Sequence, residues 1–156
     1  MEEINVGSIE LETFCHATED QEKVVEAVLN LVPPELKRQA RRKIKITAIK
    51  GHHGNPIKII RLKISKPGKA RKTLTHILSQ LEEGEAQYIA QTLPQRTDGS
   101  HIYIRLDKQR AYLQAPLTLA KEDVIKVKIA LTRPITLQKL EEALRNPPQK
   151  HIENHF

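Results

Sequence analysis

The sequence is most constrained at residues 44–65, where two isoleucine-rich runs alternate with lysine and arginine on either side of the loop GHHGNP. Alternation of apolar and polar residues is typical of a β-strand with one buried and one solvated face. The glycines, asparagine and proline between the runs are typical turn residues. This stretch therefore predicts a β-hairpin with strands at about 44–50 and 57–65.

The second run of the hairpin changes phase along its length. Ile57 and Ile59 fall on one face of the strand, whereas the apolar residues from Ile60 to Ile64 fall on the other. One extra residue in an antiparallel strand shifts the alternation of its side chains. We therefore expect a β-bulge near Ile59.

The hairpin lies within a strongly basic segment. Residues 36–81 contain 14 Lys or Arg and no Asp or Glu, whereas residues 1–35 contain one basic and nine acidic residues. Residues 82–156 are close to balance, and the whole chain has a net charge of +7. A solvated surface normally mixes both signs, so a segment of one sign favours a polyanionic partner such as a nucleic acid.

Apolar spacing predicts further elements outside the hairpin. We expect strands at 4–15, 102–106 and 124–131, and helices after Thr18, at 69–81, at 86–93 and after Thr136. Thr18 and Gln21 have the spacing of a capping box, which predicts Thr18 as the N-cap of the first helix. Residues 35–43 are predicted to be a basic connector, and residues 107–112 a tight turn or a short helix.

Strands that alternate in this way need one covered and one solvated face. The order of elements therefore predicts an α+β fold, with a single antiparallel or mixed sheet of about five strands and helices packed on one face. The solvated face is then expected to display Lys45, Lys63 and Lys128. We expect residues 1–146 to form one domain and residues 147–156 to be a frayed C-terminal tail.

Composition argues against several classes of protein. The single cysteine, Cys15, falls on the first predicted strand and provides neither an internal disulfide nor a cysteine metal site, which fits a reducing compartment. No segment reaches the roughly 18 apolar residues that cross a bilayer, and the N-terminus does not resemble a secretory signal. We therefore expect a soluble, cytoplasmic protein with no membrane contact and no cofactor.

The loop GHHGNP is compatible with three kinds of chemistry. As metal ligands, His52 and His53 have no Cys, Asp or Glu near them in the sequence, which disfavours a metal site. As acid and base in RNA cleavage they need a second imidazole and a cation, which His16 and Lys108 provide only if the fold brings them close. As donors to phosphates or bases they have basic flanking strands. We favour the third interpretation and expect no enzyme activity.

Three motifs together point to a family. HATED at 16–20, GHHGNPI at 51–57 and YIRLDKQRAYL at 103–113 resemble, in this order and spacing, an archaeal family described as RNA-binding proteins and predicted exosome subunits. The resemblance covers nearly the whole chain. It implies a fold like that of the large-subunit ribosomal protein that binds 5S ribosomal RNA. Family members usually have glycine after AYL, where this chain has Gln114.

These observations predict a non-catalytic RNA-binding protein that contacts structured RNA mainly through phosphates. The resemblance further implies protein partners in an RNA-processing complex such as the exosome. The chain has three Tyr, two Phe and no Trp, which argues against a surface that stacks single-stranded bases. The alternative is an assembly protein whose basic hairpin binds an acidic protein surface, or the acidic residues 1–35 of another copy in a homodimer.

The RNA-binding residues are expected on the hairpin, where they form one ridge. These residues are Lys45, Lys50, His53, Asn55 and Lys58. A second group joins this ridge if the strand at 102–106 lies beside the hairpin. Its members are Arg105, Lys108 and Arg110. Asp107 in the same segment is expected to have a structural role in a turn.

Overall fold

Segments in which apolar and polar residues alternate form five strands in the structure. The structure is a computed structural model that describes residues 5–50, 54–133 and 137–145. The elements follow one another as β1 (Val6–His16), α1 (Gln21–Leu29), α2 (Pro34–Lys43), β2 (Lys45–Lys50), β3 (Pro56–Ile64), α3 (Pro67–Ser79), α4 (Glu85–Gln91), β4 (His101–Asp107), α5 (Lys108–Leu113), β5 (Val124–Leu131) and α6 (Leu137–Arg145). Within these ranges no helix is both long and apolar enough to cross a membrane.

The strands form one sheet in the order β2-β3-β1-β5-β4, and every neighbouring pair is antiparallel. Helices α1 and α3 pack against the central strands β1 and β3, and α2 packs against β3. The predicted α+β fold, with one five-stranded sheet that is covered on one face, is confirmed. We call the uncovered side of the sheet the open face.

The core lies between the helices and the covered face of the sheet. Ile9 and Leu11 of β1 are completely buried. Glu10 and Glu12, which alternate with them along the strand, point to the open face. Burial of one such aliphatic side chain contributes about 1.5–3 kcal/mol. Other completely buried members of the core are Val28, Ile60, Leu62, Leu74, Ile89, Ile102 and Ile125. Their burial decides which side of each strand faces solvent.

Strand β3 passes through its change of phase without a bulge. Its pairing with β1 keeps one register from end to end. The bulge expected near Ile59 is therefore wrong, because Ile57 and Ile59 lie half-buried on the open face and do not return to the core. The register shift in the sheet lies between Val6 and Ser8 of β1, where β1 pairs with β5.

Strand β2 forms an exposed edge of the sheet. All six of its residues are exposed, even though Ile46 lies opposite the buried Ile60 on the covered side. The helices pack over β1 and β3 and leave this edge to solvent. Ile46 and Ala48 therefore point to the covered side of the sheet, as their alternation with lysine and threonine indicates, but no helix covers them.

Helix α1 begins later than the sequence predicted. Asp20 is its N-cap, and the Asp20 carboxylate accepts a hydrogen bond of 2.9 Å from the N–H of Glu22. A turn comes first, in which the N–H of Glu19 donates to the carbonyl of His16 at 2.9 Å. The prediction of Thr18 as the N-cap is wrong because this turn places it outside the helix.

The segment predicted as a connector is the helix α2. Pro34 begins it, at a position where the missing N–H of proline costs nothing. Ala40 is buried and Leu36, four residues earlier, packs against the core, so the two form a short apolar stripe. The connector prediction is wrong because this stripe is too short to stand out among the charged residues.

Most other elements follow the prediction. The helices expected at 69–81 and 86–93 and the strands expected at 102–106 and 124–131 are confirmed as α3, α4, β4 and β5, and residues 108–113 form the short helix α5. Cys15 lies buried on β1, where burial and nearby Glu19 raise the pKa of its thiol. Thr136 and residues 147–156 lie outside the described residues.

Candidate nucleic-acid interface

Cross-strand register aligns polar side chains into two rows on the open face. The first row, from β2 to β4, contains Lys45, Arg61, Glu12, Lys126 and Arg105. The second row contains Lys63, Glu10, Lys128 and Tyr103. Residues directly opposite each other on antiparallel strands lie about 4.5–5.5 Å apart, so each row is continuous. The predicted exposure of Lys45, Lys63 and Lys128 is confirmed.

The two acids in these rows are already paired within the chain. Arg61 donates from Nε to Glu12 at 2.8 Å, and the Arg61 guanidinium lies 4.0 Å from Glu10. The hydrogen bond to Glu12 is the main cause that raises the pKa of Arg61. Within the described residues, no ion pair involves the other bases of the two rows, which are Lys45, Lys63, Arg105, Lys126 and Lys128. The open face therefore carries positive charge that the described residues do not neutralise.

A second concentration of bases lies where two connections meet. Strand β2 begins beside the end of its antiparallel neighbour β3, so the α2–β2 connection adjoins the β3–α3 connection. Lys69 of α3 donates a hydrogen bond of 2.6 Å to Gln39 of α2 and so links the two helices that flank these connections. We define the basic corner as the exposed Arg42, Lys43, Lys45, Lys63 and Lys66. None of these five has an ion pair in the described part of the chain.

The N-terminus of α3 adds backbone donors to the basic corner. Lys66 is the N-cap residue, its side chain makes no capping hydrogen bond, and the first turn contains no acid. A helix N-terminus carries partial positive charge and unpaired N–H groups, which attract anions. Bases gathered at this end of a helix therefore reduce stability unless an anion is bound there.

The acidic residues of α1 interact with α2 of the same chain. Arg41 donates to Glu22 at 3.3 Å and also forms a hydrogen-bonded ion pair with Glu26. Together with the pairing of Arg61 with Glu12, this contact joins the acidic N-terminal segment to the basic segment within one molecule. These contacts leave less acidic surface for another copy of the chain.

The described parts of the three sequence motifs meet at the end of the sheet opposite the basic corner. His16 of the first motif lies opposite Ile57 of the second in the β1–β3 register. Lys108 of the third motif contacts Glu19 of the first at 3.0 Å. Among the described residues no three His, Cys, Asp or Glu side chains are grouped as metal ligands require. His53 lies outside the described residues.

Lys108 is a buried structural cation at this end of the sheet. It is 4% exposed, and its ammonium donates to the Phe14 carbonyl at 2.9 Å and to Glu19 at 3.1 Å, and pairs with Asp123 at 2.9 Å. An ammonium has three donors, so these contacts use all of them. Lys108 therefore joins β1, the start of α1 and the loop before β5, and presents no free donor to a ligand.

The residues predicted on the hairpin do not form one ridge. Lys45 lies on the open face at one end of β2, whereas Lys50 and Lys58 lie on the covered side at the other end. The prediction of a shared ridge is wrong because side chains of a strand alternate between its faces. Lys58 donates to Gln21 at 2.6 Å, and Asn55 is exposed in the loop.

The strand that carries Arg105 does not return beside the hairpin. β4 is the edge strand opposite β2, with three strands between them. Arg105 is exposed on the open face, whereas Arg110 donates to the Pro116 carbonyl at 2.6 Å and to Glu82 at 3.2 Å. The structural role predicted for Asp107 is confirmed, since it caps α5 by accepting from the Arg110 N–H at 2.9 Å.

Sequence reasoning did not include several exposed bases in the site. These are Arg42, Lys43, Lys63, Lys66, Lys126 and Lys128. Lys126 and Lys128 alternate with buried residues of β5, which already indicated a solvated position. Arg42 and Lys43 had no such signal, because their place beside β3 depends on the helix α2 that the sequence did not reveal.

Comparisons with known proteins agree on a family. A family model described as RNA binding matches residues 8–131. The chain is 34% identical over 127 residues to the RNA-binding protein PAB1135 of Pyrococcus abyssi, which covers 81% of this chain and 82% of that protein. Among solved structures, protein AF2318 from Archaeglobus fulgidus has a TM-score of 0.71 at 34% identity, over 88% of this chain and 95% of that chain. Protein SSO0741 from Sulfolobus solfataricus has a TM-score of 0.73 at 27% identity, over 88% and 94%.

Proposed function

This chain belongs to the RNA-binding family, and on that premise we propose that it binds RNA through phosphate contacts at the basic corner and along the open face. The observation that carries the proposal is the basic corner itself. Its five exposed bases have no carboxylate partner among the described residues and adjoin the uncapped N-terminus of α3. A phosphate backbone supplies the missing negative charge and accepts from both the side chains and the helix N–H groups.

The preferred RNA for this corner is structured RNA. Lys and Arg side chains on strands and helix ends contact phosphates without reading base edges. Phosphates of a folded RNA are held in a fixed arrangement, which a rigid sheet and two helix ends can match by shape. Recognition at the basic corner is therefore expected to depend on the fold of the RNA more than on its sequence.

The protein binds RNA without cleaving it. The cation considered for cleavage, Lys108, is fully hydrogen-bonded inside the fold and offers no donor to a scissile phosphate. Incubation of the protein with a folded RNA is expected to leave it intact over hours. Cleavage that disappears in a His53→Ala variant would instead identify an enzyme.

The resemblance to predicted exosome subunits supports a place beside an RNA-processing complex. Partners bound directly would remain with the tagged protein after ribonuclease treatment of the extract, whereas partners held through RNA would be released. Retention of exosome subunits after this treatment is the expected result.

The acidic side chains of α1 and β1 are paired within the chain, so no observation favours the alternative of self-pairing.

A matched pair of double variants tests the location of the RNA. Lys45→Ala with Lys63→Ala removes two charges from the basic corner, and Lys50→Ala with Lys58→Ala removes two charges from the same strands on the covered side. We expect the first double variant to lose roughly tenfold in affinity for a folded RNA. The second should remain within about threefold of the parent, as measured by fluorescence anisotropy.

Both double variants have the same net charge, so a difference in their RNA affinity reports the position of the lysines and not the total charge. A larger loss in the Lys50 and Lys58 variant would move the site to the hairpin loop. Equal affinities for all three proteins would refute phosphate binding at the basic corner. Circular dichroism spectra that match the parent would confirm that both variants fold.

A further inference from the structure

Three grooves on the β4 side of the molecule meet at Arg105. One groove of 350 Å³ runs along the open face past Tyr103 and Lys128. A second, of 260 Å³, lies beside Phe14 at the motif end of the sheet, and a third, of 470 Å³, passes around the edge of the sheet to Tyr88. Arg105 lines all three grooves. The three grooves therefore adjoin one another at this arginine, away from the basic corner; together we call them the channel, and each groove a branch of it.

Each branch of the channel contains one exposed aromatic ring. Phe14 is 39% exposed, Tyr103 is 44% exposed and Tyr88 is 50% exposed. These three are the exposed Phe and Tyr side chains of the described residues, since Tyr112 packs against the core. Exposed aromatic rings are unfavourable in water, and their collection around one arginine is unexpected for a solvated surface that binds nothing.

Cations accompany the aromatic rings. Lys126 lies over the Phe14 ring, 5.7 Å from its centroid, and Arg96 lies over the Tyr88 ring at 5.9 Å. Within the described residues Lys121, which lines two of the branches, makes no ion pair. Aromatic rings interleaved with basic side chains are the arrangement that single-stranded nucleic acids bind, because bases stack on rings while phosphates follow the cations.

The acids of the channel are already engaged inside the protein. Glu12 accepts from Arg61, Glu10 lies 4.0 Å from the same guanidinium, and Asp123 pairs with the ammonium of Lys108 at 2.9 Å. Glu85 accepts a hydrogen bond of 2.6 Å from the backbone N–H of Leu119. These contacts hold the carboxylates in fixed positions and reduce their repulsion of a phosphate chain. The electrostatic potential of the channel is then set mainly by its cations.

We propose that this channel binds an unpaired segment of the RNA, with bases stacked on Tyr103, Phe14 and Tyr88 and phosphates near Arg105. This inference rests on the proposed RNA binding and adds a second, chemically different contact. Paired bases are covered by their neighbours and offer no free face for stacking, so the occupant is single-stranded. Strand spacing puts Phe14 and Tyr103 roughly 17 Å apart, so several nucleotides are needed to reach both.

The channel changes the expectation drawn from composition. Few aromatic residues argued against a stacking surface, yet the fold brings Phe14, Tyr103 and Tyr88 from β1, β4 and α4 to one place. A small number of rings is sufficient when they lie around one channel. The molecule would then hold a folded RNA at the basic corner and an adjoining unpaired strand in the channel.

The test uses an unstructured RNA of about 12 nucleotides that contains 2-aminopurine, whose fluorescence falls when the base stacks. Tyr103→Leu removes the ring and Tyr103→Phe keeps it. We expect Tyr103→Leu to weaken binding roughly 5- to 100-fold and to lose part of the fluorescence quenching. Tyr103→Phe should retain both, and Tyr88→Leu should behave like Tyr103→Leu.

Salt dependence separates stacking from phosphate contact. Tyr103→Leu should lower affinity without changing the slope of log affinity against log salt, because no counterion release is lost. Arg105→Gln should lower affinity and also reduce the slope by about one. A flattened slope in Tyr103→Leu, or unchanged affinity and quenching in both leucine variants, would overturn the inference.

Failure of this inference differs from failure of the proposed function. If a folded RNA still binds and depends on Lys45 and Lys63, while the leucine variants bind the unstructured RNA like the parent, the channel is refuted and RNA binding at the basic corner stands. If the parent protein binds neither RNA, the proposed function is itself refuted. Thermal denaturation should show parental stability for the leucine variants, because Tyr88 and Tyr103 are exposed.

Discussion

Replacing Lys108 by methionine removes a buried ammonium while keeping the unbranched apolar part of the side chain. The Phe14 carbonyl and the carboxylates of Glu19 and Asp123 lose their shared donor. Glu19 and Asp123 are partly exposed, so water offsets some of the loss. We expect the free energy of unfolding to fall by about 2–4 kcal/mol, measured by urea denaturation.

Lys121→Met is the control for this change because Lys121 is exposed and makes no ion pair within the described residues. It should stay within about 0.5 kcal/mol of the parent. Equal stabilities for the two variants would contradict the structural role of Lys108. The folded Lys108→Met protein should keep its affinity for folded RNA, because Lys108 presents no free donor to a ligand.

Gln114 occupies a backbone position that favours glycine. It follows α5 with φ of 56° and ψ of 30°, in the left-handed region. Glycine adopts this conformation without steric cost. We expect Gln114→Gly to raise the free energy of unfolding by about 1 kcal/mol, observed as a higher melting temperature.

Alanine provides the control at the same position. Gln114→Ala keeps the strained backbone and loses the hydrogen bond of 3.2 Å from the Gln114 amide to Asn30, so its stability should be at or below that of the parent. A glycine variant less stable than the alanine variant would show that the side-chain contact outweighs the strain.

At the scale of elements, α3 begins with a residue that is poorly suited to its stability. Lys66 has the extended backbone of an N-cap, with φ of −81° and ψ of 123°, but no side-chain acceptor. Lys66→Asp supplies an acceptor and complements the helix dipole, so we expect the free energy of unfolding to rise by about 1 kcal/mol. RNA affinity should fall roughly tenfold, because a base of the basic corner becomes an acid.

Lys72→Asp makes the same change of charge on α3 without forming a cap. Its stability should therefore not rise, and thermal denaturation compares the two variants directly. If Lys66→Asp gains stability and keeps full RNA affinity, the N-terminus of α3 does not contact RNA. A loss of affinity together with a gain in stability would indicate that this helix end is specialised for an anion.

At the scale of the whole molecule, charge separation predicts a steep salt dependence of RNA binding. Five bases of the basic corner lack carboxylate partners among the described residues, and each phosphate contact contributes close to one unit of slope. We expect the slope of log affinity against log salt to be about −3 or steeper for folded RNA. Titrations at several salt concentrations measure it.

The double variant of Lys45 and Lys63 provides the control for this slope. Removing two phosphate contacts should flatten the slope by about two. A shallow slope for the parent protein would contradict binding through phosphates. A steep slope that the double variant leaves unchanged would place the contacts on other bases of the molecule.

The sequence by itself determined the faces of the strands. Alternation is a local property of period two, so Ile9 and Leu11 could be assigned to the core, and Lys63 and Lys128 to solvent, without knowledge of strand order. Helical spacing likewise predicted α3 and α4. The fold class and the existence of a basic, solvated sheet face follow from these local patterns.

Only the tertiary structure decided which of these residues lie together. The placement of β4 at the edge opposite β2 separates Arg105 from the hairpin, and the packing around Lys108 buries a cation that looked available. Strand order and side-chain pairing depend on contacts between residues far apart in the chain, which no local period encodes. For the same reason the channel around Arg105, whose rings come from three separate elements, could not be read from the sequence.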